Sequence, residues 1–126
     1  MPNVVSPPGT AACVHPDRVA RVQADSPSPQ ETAQVAKVFK LLGDPTRARL
    51  LYALLAADEL CVCDLASVTA TSEATVSQAL RLLRASGVVI GRREGRNVFY
   101  SLSDAHVRVL LEVAREHSRH TPSEVH

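Results

Sequence analysis

The chain has 126 residues, 45% of them hydrophobic, with a formal net charge of +1, three cysteines, two Phe, two Tyr and no Trp. That length holds one modest core, filled by Leu, Val and Ala as in helix-on-helix packing, so a mainly helical domain that shares its core with a second copy is expected. No apolar run approaches the roughly 18 residues of a membrane span, no signal-peptide pattern opens the chain, and an odd cysteine count without an export signal argues against a disulfide framework; the expectation is a cytoplasmic protein with reduced thiols and no membrane partner.

Six of the eight prolines precede Gln30, and the aperiodic "MPNVVSPPGTAA" reads as a disordered start to a flexible Pro-rich arm over residues 1–27. Cys13 follows it, and in "CVHPDRVARVQAD" Val19 and Val22 fit a short helix. The main body, residues 28–120, opens with "SPQE": Ser28 caps, Pro29 suits the first helical position and Glu31 completes a capping box. A helix to about Leu42 follows, with Val35, Val38, Phe39 and Leu42 on one face, ended by Gly43. Asp44 and Pro45 repeat the start signal for "TRARLLYALLAA", whose Leu50, Leu51, Leu54 and Leu55 mark a central helix.

A further helix is expected from Cys61 or Cys63 to about Val68, and another, capped by Ser72, from Glu73 to about Ala85, closed by Gly87. Two short helices joined by a turn outline a helix-turn-helix. In the second, Val76, Leu80 and Leu83 form the buried stripe, while Thr75, Gln78, Arg81 and Arg84 fall on a polar, basic side. "VVIGRREGRNVFYSL" then reads as a hairpin turning at Glu94 and Gly95, its tip crowded by Arg92, Arg93 and Arg96. Five arginines against one acid between Arg81 and Arg96 give a local charge of +4, placed where a winged helix meets a duplex. A last helix from Asp104 to about His117 carries Val107, Leu110, Leu111 and Ala114 as its apolar face and is the candidate dimer interface; residues 121–126 are read as a disordered tail. The fold class is mainly α with a small β-hairpin, a winged helix-turn-helix of order α-α-α-α-β-β-α plus an N-terminal arm, acting as a homodimer.

"ELCVCDLA", "GDPTRARLLYAL", "SEATVSQALRLLRASGVV" and "REGRNVFYSLSDAHV" together resemble the ArsR/SmtB family of metal-sensing winged-helix repressors, over roughly Gln30 to His120. "CVHPDRVARVQAD" extends the likeness into the arm of its CadC-like members. The resemblance implies a homodimer that binds operator DNA, a double-stranded inverted repeat, when metal-free and releases it when metal binds. It also implies two metal sites: Cys61 and Cys63 with Cys13 of the arm, and Asp104, His106, His117 and His120 at the C-terminal helix. The family more often has Glu where His120 stands, and Gln78 and Ala79 replace a His-rich pair of the recognition helix, so base contacts do not carry over.

The chemistry constrains both sets. Residues two apart in a helix point about 200° away from each other, so Cys61 and Cys63 face one ion only from a helix start where the backbone is still extended. Thiolates favour Zn(II), Cd(II), Pb(II) or Cu(I); His15, Asp17 and Asp64 are all available as a fourth ligand, and the sequence does not choose. His106 and His117, eleven residues apart, share a face but are about 16 Å apart along the axis, so one chain cannot close that set. Two antiparallel helices bring His117 and His120 of one opposite Asp104 and His106 of the other. His126 reads as a surface group.

For DNA, Ser72, Thr75, Ser77, Gln78 and Arg81 are the candidate groove and phosphate contacts, with Arg92, Arg93 and Arg96 reaching the flanking backbone or minor groove. The expected function is a repressor that dissociates on binding Zn(II) or Cd(II), with Pb(II) or Cu(I) as further effectors, and thereby derepresses metal-resistance or efflux genes. A thiol-based redox regulator would use the same body with Cys13 in a disulfide. A zinc enzyme is the more distant alternative, because no separate catalytic constellation or phosphate loop appears.

Overall fold

Most helices of the body start where a side-chain oxygen meets otherwise unpaired amides. In the computed structural model, which describes residues 14–120, the Ser28 hydroxyl accepts from the Glu31 amide at 3.1 Å and opens α2 (Pro29–Leu42). Asp44 Oδ2 accepts from the Arg47 amide at 3.0 Å and opens α3 (Pro45–Ala57); Arg47 Nε then donates to the Leu41 carbonyl at 2.8 Å and fixes the α2–α3 corner. Caps of this kind stabilise a helix by about 1 kcal/mol each.

Ahead of α2 lies α1 (Pro16–Asp25), with Pro16 in its first turn and no buried residue. The chain divides into two units between Ala36 and Lys37, inside α2. Cys13 and His126 lie outside the described residues.

The core belongs to the second unit. Leu50, Leu51 and Leu54 of α3 are buried with Leu65 of α4 (Val62–Thr69), Val76, Leu80 and Leu83 of α5 (Glu73–Ala85), and Val89 and Leu102 of the hairpin. The stripe expected on α5 is therefore the stripe observed, and Leu55 packs at the margin. Full burial of each such side chain is worth about 1.5–3 kcal/mol, so this leucine layer sets where α5 sits. Arg49 Nη2 donates to the Thr69 carbonyl, while the Thr69 hydroxyl, itself buried, donates to the Leu65 carbonyl at 2.7 Å. Together they pin the end of α4 to α3.

The sheet has three strands. Besides β2 (Val89–Glu94) and β3 (Asn97–Leu102), the two residues Leu60–Cys61 form β1 and pair antiparallel with β3, in the order β1-β3-β2. A strand of two residues shows no alternation, which is why the sequence yields only a hairpin. Glu94 pairs with Asn97, so the turn is centred on Gly95 and Arg96, one residue later than expected. Gly95 has φ +63° and Arg96 is not among the residues with positive φ, the pattern of a type II′ turn with glycine first.

Helix α6 (Ala105–His120) closes the body. Its Leu111 is buried and Val107 is packed against the core; the Tyr52 hydroxyl of α3 donates to the Leu111 carbonyl at 2.7 Å. Of the stripe read as a dimer face, Val107 and Leu111 thus cover the chain's own core, while Leu110 is half-buried and Ala114 exposed. The large apolar residues left exposed on α6 are Val109 and Val113, more than a third of a turn away at about 100° per residue. Among the described residues no helix is long and apolar enough to cross a membrane.

Candidate DNA interface and cation ligands

The turn between α4 and α5 is built on a left-handed residue. Ala70 has φ 51° and ψ 45°, the Thr71 amide donates to the Ala66 carbonyl at 3.0 Å and the Ala70 amide to Ser67 at 3.3 Å. This is a Schellman closure with alanine where glycine is usual. Gly87, φ +77°, closes α5 in the same way, the Val88 amide donating to Leu83 and the Gly87 amide to Arg84.

Ser72 stands at the N-cap of α5. Its hydroxyl accepts from the Thr75 amide at 3.1 Å and lies 2.9 Å from the Thr75 hydroxyl, so these two candidate contacts also set the start of the helix. Ser72, Thr75, Ser77, Gln78, Arg81 and Arg84 are all exposed, while Val76, Ala79, Leu80 and Leu83 are buried. Ala79 therefore belongs to the core side of α5.

Strand parity sorts the wing arginines. Arg92 pairs with Phe99, which in turn pairs with Cys61, so these three lie in one row across the sheet. Arg92 is engaged within the chain: Nε and Nη2 each meet a Glu59 carboxylate oxygen at 2.9 Å, Nη1 lies 3.4 Å from Glu94, and the guanidinium stands 5.2 Å from the Phe99 ring centre. The hydrogen bond from Arg92 outweighs the opposing effect of burial and, with a lesser contribution from the Arg92 charge, holds the Glu59 carboxyl below the usual glutamate range. The same pair raises Arg92 further above its ordinary value. Glu59 is absent from the residues singled out by sequence; it lies 33 positions from its partner, and only the strand register brings the two together. Arg93 and Arg96 are exposed near the tip.

The cysteines stand at the start of α4. Cys61 ends β1 and is the N-cap residue of α4 with extended φ −87° and ψ 172°; Cys63 and Asp64 follow in the first turn. Both thiols are free, Cys61 half-buried and Cys63 exposed. They line one cavity of about 260 Å³ with Glu73, Arg96 and Tyr100. Cys61 is thus extended and Cys63 helical, so the two do not share a regular helix geometry. His15 precedes α1 and Asp17 lies in its first turn.

At α6, Asp104 Oδ1 accepts from the Val107 amide at 3.0 Å, the capping position expected of it, and lies 3.9 Å from His106 Nδ1. His120 Nε2 is 2.7 Å from Glu116 Oε2 at the other end. The continuous helix between them keeps the two pairs apart, and among the described residues no three His, Cys, Asp or Glu side chains converge on one point within the single chain. His106, Val109, Val113, His117 and His120 nevertheless follow one stripe of α6.

A helix-turn-helix with an exposed basic second helix beside an arginine-tipped hairpin defines a winged-helix regulator. Residues 44–90 match the family described as "Bacterial regulatory protein, arsR family". The chain is 46% identical over 110 residues to the cadmium resistance transcriptional regulatory protein CadC homolog of Staphylococcus aureus, covering 87% of this chain and 90% of that protein. It is 47% identical over 104 residues to the transcriptional repressor SmtB homolog of Synechocystis sp., covering 82% and 78%. The crystal structure of the AntR antimony-specific transcriptional repressor superposes with a TM-score of 0.69 at 32% identity, over 77% of this chain and 90% of that one. The chain belongs to the ArsR/SmtB family of transcriptional regulators; it is not an enzyme.

Proposed function

We propose that the protein is a metal-responsive repressor that binds double-stranded operator DNA as a metal-free homodimer and releases it when Zn(II)- or Cd(II)-type ions are bound, with Pb(II) and Cu(I) as further candidates. The observation that carries this reading is the joint placement of Cys61 and Cys63 at the start of α4, the helix packed directly against α5. A change at the thiols therefore acts one helix away from the DNA-reading face. The names of the relatives, one for cadmium resistance and one for repression, support it. Bound Zn(II) or Cd(II) supplies a cross-link among thiolates or imidazoles.

The thiolate set comprises Cys61 and Cys63 with Cys13, and one of His15, Asp17 or Asp64 as a fourth donor. The second set pairs Asp104 and His106 of one copy with His117 and His120 of another. The exposed Val109 and Val113, framed by those histidines on one stripe, give two antiparallel α6 helices an apolar seam between the ligand pairs. Two recognition helices presented by such a dimer read an inverted repeat, Ser72, Thr75, Ser77, Gln78 and Arg81 in the groove and on phosphates. Arg93 and Arg96 reach the flanking backbone, and Arg92 stiffens the wing that carries them. A regulator of chromosomal operators works in the cytoplasm, and the genes released are those of metal resistance or efflux.

Coupling between ion and DNA is a free energy, about 1–3 kcal/mol in ordinary cases, and so a 5–150-fold change in operator affinity. Fluorescence anisotropy on an operator duplex, with chelator and then with Zn(II) or Cd(II), measures it. Cys61→Ser and His117→Ala proteins in the same assay separate the two ligand sets: the variant that no longer releases DNA identifies the regulating one. Wild-type-like release by both would remove both from sensing.

A further inference from the structure

Between α5 and the wing lies a cavity of about 460 Å³ lined by Ser77, Leu80, Arg81, Arg84, Ala85 and Tyr100. Arg81 and Arg84 are exposed, and neither guanidinium, nor the hydroxyl of Ser77 or Tyr100, has a hydrogen bond or ion pair among the described residues. Arg92, by contrast, is held by two carboxylates. Two cations and two hydroxyls left open around one concavity make an anion site of the kind that takes a phosphate.

The floor of this cavity is shaped for Arg84. Gly91 pairs with Tyr100 across the hairpin, and a Cβ there would stand 3.3 Å from Arg84 Nη1, 3.4 Å from Tyr100 Cε1 and 3.1 Å from Val98 Cγ1. With glycine in place the guanidinium lies directly over strand β2. Duplex geometry supplies the occupant. A helix in the major groove and a hairpin at the neighbouring minor groove straddle one phosphate strand, because a single sugar-phosphate backbone separates adjacent grooves.

We infer that the cleft between α5 and the wing seats one backbone phosphate of bound DNA, held by Arg84 and Arg81 with Ser77 and Tyr100 as hydroxyl donors, and that Gly91 keeps its floor open. The inference rests on the DNA-binding reading above and assigns two residues, Arg84 and Tyr100, that the groove contacts do not include. Base sequence plays no part in it, so the site contributes equally to operator and unrelated DNA.

The test uses the full chain and a duplex that the wild-type protein itself retains from a randomised pool. Arg84→Gln is expected to weaken binding about tenfold near physiological salt, for that duplex and an unrelated one alike, and to flatten the log–log salt slope by about 1. Tyr100→Phe weakens binding a few-fold with the slope unchanged, and Gly91→Ala shows a reduced form of the Arg84→Gln effect. Replacing single phosphates of the duplex by neutral methylphosphonates should reveal one position per half-site that weakens the wild type but not Arg84→Gln. Unchanged affinity and slope for a folded Arg84→Gln protein, or losses that simply add at every methylphosphonate position, would overturn the phosphate seat while leaving the DNA-binding reading intact. Failure of the wild type to retain any duplex would overturn that reading, and the seat with it.

Discussion

Glu59 and Ala70 each occupy a position whose chemistry is visible only in three dimensions. The Glu59 carboxyl titrates below its ordinary range because of Arg92. A carboxyl whose folded value is depressed contributes stability that is complete above the unfolded pKa and is lost as pH falls through the folded one. In the metal-free protein, NMR titration should therefore place the Glu59 midpoint below that of an ordinary glutamate, and Arg92→Gln should return it there. An unmoved midpoint in the variant would mean that the ion pair does not form in solution. Ala70 carries a left-handed backbone, φ 51°, which costs a residue with a Cβ about 1–2 kcal/mol. Glycine relieves that strain but gives up about 0.4–1 kcal/mol in the unfolded chain. Ala70→Gly should stabilise the fold by roughly 0.5 kcal/mol, read as a higher urea midpoint at constant m; a lower midpoint would refute the strain.

At the level of elements, whatever repeats every 3.6 residues or is marked by a cap could be read directly. Leu50, Leu51 and Leu54 in α3, and Val76, Leu80 and Leu83 in α5, are the buried residues their spacing dictates, and the caps Ser28, Asp44 and Ser72 stand at observed helix starts. The helix start at Cys61, with its extended backbone, also matches the expectation from sequence. What escaped is what depends on pairing: the two-residue β1, the turn shifted to Gly95–Arg96 and the Glu59–Arg92 bridge all need the strand register. In α6, two apolar stripes overlap in sequence, and only packing shows that Leu111 faces inward while Val113 stays exposed. The leucine layer yields its own prediction: Leu54→Ala, at a fully buried site, should destabilise by about 2–5 kcal/mol in denaturant melts. A loss below about 0.5 kcal/mol would place Leu54 outside the core.

At the scale of the whole molecule, the proposed function needs two copies. One chain carries a single recognition helix, and tight binding to an inverted repeat would require a second about 34 Å away in the next major groove. The exposed Val109 and Val113 stripe of α6, with His106 at one end and His117 and His120 at the other, is the surface an antiparallel second copy would cover, and burying it would bring the two ligand pairs together as well. Val113→Glu tests both consequences at once, because a carboxylate in a desolvated seam opposes association without touching the monomer core. Sedimentation should shift to the monomer, operator affinity should fall at least tenfold as one half-site is lost, and helix content should be unchanged. A Val113→Glu protein that remains dimeric would move the interface away from α6, and with it the shared site of Asp104, His106, His117 and His120.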